Sequence, residues 1–307
     1  MKLAVRSSRK RHASKGIALV SVLWGLALIA LVAASIATTT RTDLKLVSNV
    51  NERAEAEALA EAGVSLGIHG LLKPVVRGGL RVDGTVYEWH LGGGRVRVAI
   101  VDEGGKVDLN TAPTELLQRL AFGLVDDESR STALADAIVD FRDPDRLRRL
   151  NGAEEDDYRR AGMPFGPKNF PFESIYELKQ VLGMTDPLFL SLAPAVTVHT
   201  GKRIPDWRVA APALAKAIPE VEERQRNALA PADGQAESEW PEHAPRILKK
   251  GLTAFRSNAR VYTVHAEGAS DGDGYAALDV VVRIQRSPTE PYRILEWRPG
   301  FRELFGS

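Results

Sequence analysis

The densest group of side chains that could do chemistry in this 307-residue chain is acidic. Asp140, Asp143 and Asp145 flank a proline turn in DFRDPDRLRRLNGAEEDDY, and Glu154, Glu155, Asp156 and Asp157 lie close behind. Hard carboxylate oxygens on a loop are what calcium takes. The spacing is not that of an EF-hand, so a site here is of another kind. The same residues also read as a solvated turn whose charge is balanced by Arg142, Arg146, Arg148 and Arg149. A shorter acidic stretch, SDGDG at 270–274, resembles a calcium loop but reads better as a hairpin turn.

Other chemistry is sparse. No G-x-S-x-G, H-E-x-x-H or P-loop pattern occurs, and no enzyme activity is expected. The chain has no cysteine, which excludes disulfides, thiol catalysis and Cys-type zinc sites. The six histidines, at 12, 69, 90, 199, 243 and 265, lack metal-ligand spacing. Gly92–Gly94 lies between two strand patterns and opens no helix, so it is a turn and not a phosphate cradle.

The elements that must carry these residues begin with an unusual N-terminus. Residues 1–16 hold Lys2, Arg6, Arg9, Lys10, Arg11 and Lys15 and no acid. From Ile17 to Thr40 nothing is charged. A helix of about 20 such residues crosses the hydrocarbon layer. The basic end predicts a cytoplasmic N-terminus and export of the chain beyond Arg41. A cleaved secretory signal, with VAASIA as its processing site, is the rival reading. Without the six leader charges, 35 basic residues face 40 acidic ones. That balance argues against a large nucleic-acid footprint.

Helix-forming residues continue through RAEAEALAEAGVSLGIHGLL, with no proline until Pro74. This predicts one helix from about Ile17 to Leu72, with Ala54, Ala58 and Ala62 at i, i+4 and i+8, Leu59 and Leu66 on a related face, and Gly63, Gly67 and Gly70 weakening its last turns. Strand alternation appears next in VYEWHL and RVRVAIV, then again in ARVYTVHAEG, YAALDVVVRIQ and YRILEWRPG, about five antiparallel strands in all. Residues 108–225 between them read as helices and loops. Ser174 and Glu177 form a capping-box pattern for a helix holding Leu178 and Val181. Residues 230–245 read as a polar, proline-rich linker.

Two stretches of the insertion, VDLNTAPTELLQRLAFGLVDDESRSTALADAIVDFRD and ESIYELKQVLGMTDPLFLSLAP, have a helix-hairpin-helix outline. This makes a membrane-tethered DNA-binding protein the alternative reading. The turns, however, carry Asp126, Asp127, Glu128 and Asp186. Residues 102–200 hold 11 basic and 18 acidic residues, a net charge of −7. The outline therefore predicts a packing module, with no nucleic acid as a partner.

Together these pieces resemble one family, the minor pseudopilins of the type II secretion system and the protein K family in particular. Lys15-Gly16-Ile17 is similar to the site where prepilin peptidase cleaves, between Gly16 and Ile17. DEGGKVDLNTAP, DFRDPD…GAEEDDY, NFPFESIYELKQVLGMT, VYTVHAEG and ILEWRPG are similar to the K subunit. Most pseudopilins carry Glu at the fifth mature position, where this chain has Ser21. The K subunit typically lacks that Glu and is proposed to sit at the filament tip.

The resemblance implies an α+β fold: a pilin-like long N-terminal helix packed on an antiparallel sheet, with a large helical insertion of two SAM-like modules. It implies a leader at 1–16, a transmembrane part at 17–40 and the rest of the helix with the first strands at 41–107. The insertion then covers 108–225, and a linker with the remaining strands covers 226–307. The implied role is a minor pseudopilin that forms the tip of the periplasmic pseudopilus with the I and J minor pseudopilins and helps to initiate assembly. Further implied partners are the other pseudopilus subunits, prepilin peptidase and the inner-membrane secretion platform. The implied location is the bacterial inner membrane, single-pass, with the bulk of the chain periplasmic. Calcium is the implied cofactor, with Asp140, Asp143, Asp145, Glu154 and Asp157 as its ligands.

Overall fold

The computed structural model describes residues 15–74, 77–228, 246–249 and 258–300. The leader residues 1–14 and the expected linker at 230–245 lie outside the described residues. The chain divides into two compact units, Met1–Glu52 and Arg53–Ser307.

The first unit holds the N-terminal part of helix α1 (Lys15–Leu72). Leu19 to Ser35 is uniformly exposed, with Leu23, Trp24, Ile29 and Leu31 among its large side chains. Among the described residues no helix is long and apolar enough to cross a membrane. Gly16 and Ile17 fall in the first turn of α1, and Ser21 is exposed one turn further on.

The second unit begins with the rest of α1, then β1 (Asp83–Leu91) and β2 (Gly94–Asp102). Gly92 and Gly93, at φ 54° and 95°, make the tight turn between them. After the insertion come β5 (Arg246–Lys249), β6 (Val261–Ser270), β7 (Tyr275–Ile284) and β8 (Tyr292–Pro299). These strands form one antiparallel sheet in the order β5–β1–β2–β6–β7–β8. The sixth strand, β5, exceeds the sequence reading because RILK is too short to show alternation. The acidic stretch at 270–274 is the β6–β7 hairpin turn.

The body is held by close approach of α1 to the sheet. The buried face is Ala56, Leu59, Ala60, Val64, Ile68 and Leu71, and Ala54 and Ala58 are exposed. The expected face is therefore corrected at its alanines, while Leu59 is buried as that face required, and the glycines are contact points rather than weak turns. A Cβ on Gly63 would lie 2.8 Å from Val96 Cγ1, and one on Gly67 would lie 2.4 Å from Val264 Cγ1. From the sheet side, a Cβ on Gly268 would lie 2.1 Å from the Ala56 carbonyl oxygen. Real Cβ atoms do not approach that closely, so these positions set the helix–sheet distance.

The insertion leaves the sheet at the end of β2, where Asp102 faces Tyr262 of β6. Its neck is a short parallel pair, β3 (Val107–Asp108) and β4 (Val196–Thr197). Between them lie α2 (Thr114–Val125), α3 (Glu128–Arg142), α4 (Glu155–Arg160) and α5 (Asp186–Leu192). Helices α6 (Pro212–Ala217) and α7 (Pro219–Ala228) come after β4. The Ser174/Glu177 capping box forms, but on a 3-10 helix, Ile175–Gln180, with Val181 as its C-cap.

The VDLNTA stretch clasps the insertion. Asp108 Oδ2 accepts from the Thr200 N–H (2.9 Å), the Thr200 hydroxyl (2.9 Å) and the Gly201 N–H (2.8 Å). Asn110 exchanges two hydrogen bonds with the Phe172 backbone, at 2.9 and 2.7 Å. Arg142 donates to the Leu109 and Ala112 carbonyls. The insertion's core is large and includes Leu109, Leu120, Phe141, Tyr158, Ile175, Leu178 and Phe189.

Polar groups dock the insertion on the sheet. Buried Glu103 pairs with buried Lys106 and accepts from the Thr263 hydroxyl at 2.6 Å. Burial alone would raise the Glu103 pKa. The Lys106 charge and hydrogen bonds from Lys106, Thr197 and Thr263 outweigh it and hold the carboxyl down to about 2. Further along, Glu296 of β8 accepts from the Ser174 hydroxyl at 2.8 Å and lies 3.1 Å from His199 Nε2.

Candidate cation site in the helical insertion

The acidic group is built at the C-terminal end of α3 and the start of α4. Asp140 lies in the last turns of α3, where the helix packs on the insertion core, and it is fully buried. Asp143 is the C-cap residue of α3, and Glu154 is the N-cap residue of α4. Asp145 lies in the loop between the helices, and Asp157 is in the first turn of α4.

Three of these carboxylates have oxygens with no hydrogen-bond partner: Asp140 Oδ1, Asp143 Oδ1 and Glu154 Oε1. Buried polar atoms without a partner are uncommon in folded proteins. Arg149 Nε stands 3.5 Å from Asp140 Oδ1, a loose ion pair. Burial, with repulsion from Asp143 and against hydrogen bonds from the Arg149 and Ala153 amides, pushes Asp140 up to about 6. Burial, then repulsion from Asp140, Asp143, Asp145 and Asp157, pushes Glu154 up to about 7. Burial and Asp145 raise Asp143 as well. These groups repel one another in a low-dielectric place, a cost that a divalent cation would relieve.

The other two predicted residues are more engaged. Asp157 Oδ2 accepts the Glu154 N–H at 3.0 Å in a capping box, and Oδ1 lies against Arg148 and Arg160. The Glu154 amide and then the two arginines hold its pKa below the usual carboxylate range. Asp145 Oδ1 accepts the Leu147 N–H at 2.8 Å. So Asp140, Asp143 and Glu154 carry the unsatisfied oxygens, while Asp145 and Asp157 shape the loop and add charge.

Sequence reading missed Asn169. Its Oδ1 is a further buried oxygen without a partner. Its N–H donates to the Phe141 carbonyl at 2.9 Å, which ties it to the end of α3. Its left-handed φ of 51° is a signal that only the backbone reveals. Among the described residues no three His, Cys, Asp or Glu side chains are already gathered as a metal cluster. The donor set nevertheless fits a hard cation in its chemistry: neutral and anionic oxygens, mutually repelling and lacking partners. Calcium also accepts backbone carbonyls and water, so it does not need a closed ring of side chains.

The helix-hairpin-helix outline has no phosphate site at its first turn. Asp126 takes the left-handed conformation at φ 53°, and Asp127 caps α3 by accepting the Arg130 N–H at 2.9 Å. The helix N-terminus is thus occupied by the chain's own carboxylate.

A family model described as type II secretion system (T2SS), protein K, matches residues 98–201. That span, about a third of the chain, is similar to the protein K family. The matched span runs from β2 to the end of the DLNT clasp and includes the whole acidic loop. Type II secretion system protein K of Klebsiella pneumoniae is 32% identical over 84 residues, covering 27% of this chain and 26% of that protein. The same-named protein of Dickeya chrysanthemi is 32% identical over 84 residues, covering 27% of this chain and 23% of that protein. The alignments thus span about a quarter of the length of the curated relatives. A chain in the crystal structure of the GspK-GspI-GspJ complex from the enterotoxigenic Escherichia coli type 2 secretion system shares the fold. That likeness has a TM-score of 0.55 at 20% identity and covers 86% of this chain and 99% of that one. The α+β architecture expected from the protein K resemblance is the one observed, an N-terminal helix on an antiparallel sheet with a helical insertion.

Proposed function

We propose that this protein is a minor pseudopilin of the type II secretion system. It forms the tip of the periplasmic pseudopilus with the I and J minor pseudopilins and helps to start its assembly. The observation that carries the reading is the shared fold across nearly the whole of a GspK-complex chain, together with the protein K family match at 98–201. In this reading prepilin peptidase cuts between Gly16 and Ile17. The apolar part of α1 then anchors the chain in the inner membrane, with the bulk in the periplasm. Ser21, in place of the usual Glu, suits a subunit with no neighbour above it to neutralise a buried carboxylate. The role is structural and needs no catalytic group. Mass spectrometry of the membrane-extracted protein tests the cleavage step: loss of residues 1–16 is expected, and an intact leader or a cut near Ala37 contradicts it.

The acidic loop is the calcium site of this reading. Asp140, Asp143 and Glu154 would hold the ion through their unsatisfied oxygens, with Asp145 and Asp157 nearby. The ion would neutralise carboxylates that now repel one another and so fix the α3–α4 loop.

A further inference from the structure

Among the described residues the most exposed large apolar side chains are Leu150, 90% exposed, and Leu147, 78% exposed. They stand three residues apart on the α3–α4 loop, interleaved with Arg146, Arg148 and Arg149. The loop is held from below. Asp140 accepts the Arg149 N–H at 3.2 Å, Asp145 the Leu147 N–H at 2.8 Å, and Asp136 the Asn151 N–H at 3.2 Å. A Cβ on Gly152 would fall 2.0 Å from Asp140 Oδ2, so the backbone returns directly over that carboxylate. A pinned loop therefore presents two leucines to solvent, an exposure that apolar surface resists.

We propose that residues 144–150 form a membrane-contacting tip that binds an anionic phospholipid surface. The leucines enter the boundary between headgroups and acyl chains, and the arginines bind lipid phosphates. The composition favours lipid over protein. Protein hot spots favour Trp, Tyr and Arg seated in pockets, and leucine is under-represented there. This loop has no aromatic residue. Arginine stems lie along apolar surface while their heads reach charge, and the guanidinium fork matches phosphate oxygens. Arg148 and Arg149 lean on Asp157 at 3.2 Å and Asp140 at 3.5 Å, yet their side chains remain about half exposed. Lipid phosphates compete with those carboxylates for the same forks, so the binding is salt-dependent and the leucines carry most of it. The proposal does not depend on the pseudopilin role.

The test holds the full chain in phosphatidylcholine nanodiscs and measures co-flotation with separate vesicles, made either of phosphatidylcholine alone or of phosphatidylcholine mixed with phosphatidylglycerol. Binding to the anionic vesicles alone is expected. The Leu147→Ser/Leu150→Ser variant should weaken it about tenfold or more, and Arg146→Gln a few-fold. Both changes are on the surface, and an unchanged melting temperature checks that the fold survives. Absence of anionic-vesicle binding, or binding that the double serine variant leaves intact, overturns the proposal. If the double variant instead loses contact with a purified pseudopilin while vesicles never bind, the loop belongs to a protein partner and the proposal fails.

Discussion

In the body, α1 meets the sheet through residues too small to keep the two apart; in the insertion, aromatic rings pack beside carboxylates that keep an unsatisfied oxygen. Gly63, Gly67 and Gly268 bring backbone and β-branched side chains together. In the insertion Phe141 and Phe172 stack at 4.9 Å, while the neighbouring Asp140 is buried with an unsatisfied oxygen. One region is therefore held by shape, and the other partly by charge. Shape is indifferent to ions and to mild acid, whereas charge is not, so the two regions should respond differently to the same perturbation.

The largest effect is expected where the two regions meet. Glu103→Ala strands the buried Lys106 charge and should cost about 3–5 kcal/mol, read by chemical denaturation. The same joint sets an acid limit. The folded pKa of Glu103 is about 2, below its ordinary value of 4.5. Its contribution is therefore complete above about pH 4.5 and is lost as pH falls through about 2. Across that window the stability of Glu103→Gln should fall less steeply than that of the parent protein; parallel curves would show that the carboxylate does not set the acid limit.

Next in size is Gly268→Val, which drives a branched side chain into the Ala56 carbonyl and should cost about 3 kcal/mol. Calcium should not rescue it. A loss within error of zero would mean that α1 can move off the sheet, which would weaken the contrast between the regions. Calcium itself should raise stability by about 2–3 kcal/mol when it exceeds its dissociation constant a hundredfold. Thermal melts with calcium and with chelator measure this, and Asp140→Asn/Glu154→Gln should abolish the difference. Equal melts in the parent protein would leave the acidic loop as a solvated turn. The smallest effect is expected of Ser174→Ala, at about 1 kcal/mol, because it removes a cap on a half-buried 3-10 turn and one bond to Glu296.

The contrast also explains which features were legible in the sequence. The acidic group, the β1–β2 hairpin, the capping box and the insertion between strands could be read because each is local or has a short motif. The helix face could not. Ala54, Ala58 and Ala62 share helical spacing with Ala56 and Ala60, and only the sheet's own glycine, Gly268, decides which stripe fits against it. Strand β5 is four residues of mixed character, and its place comes from pairing with β1. Within the site, residue type identified the carboxylates, but type does not separate unsatisfied oxygens from those spent on caps. Asp157 and Asp140 look alike in sequence; a capping box and the arginine and amide contacts of Asp157 distinguish them only in three dimensions. Asn169 is brought to the end of α3 by a backbone bond to Phe141, far back in the chain, and no local pattern announces it.

The central claim, a pseudopilin that assembles with the I and J subunits, is tested most directly by photo-cross-linking in secreting cells. A cross-linker placed at Val50, an exposed position of α1, should capture the I or J minor pseudopilin. That capture should require prepilin peptidase. Cross-links to neither protein, in cells where the leader has been removed and secretion proceeds, would contradict the claim.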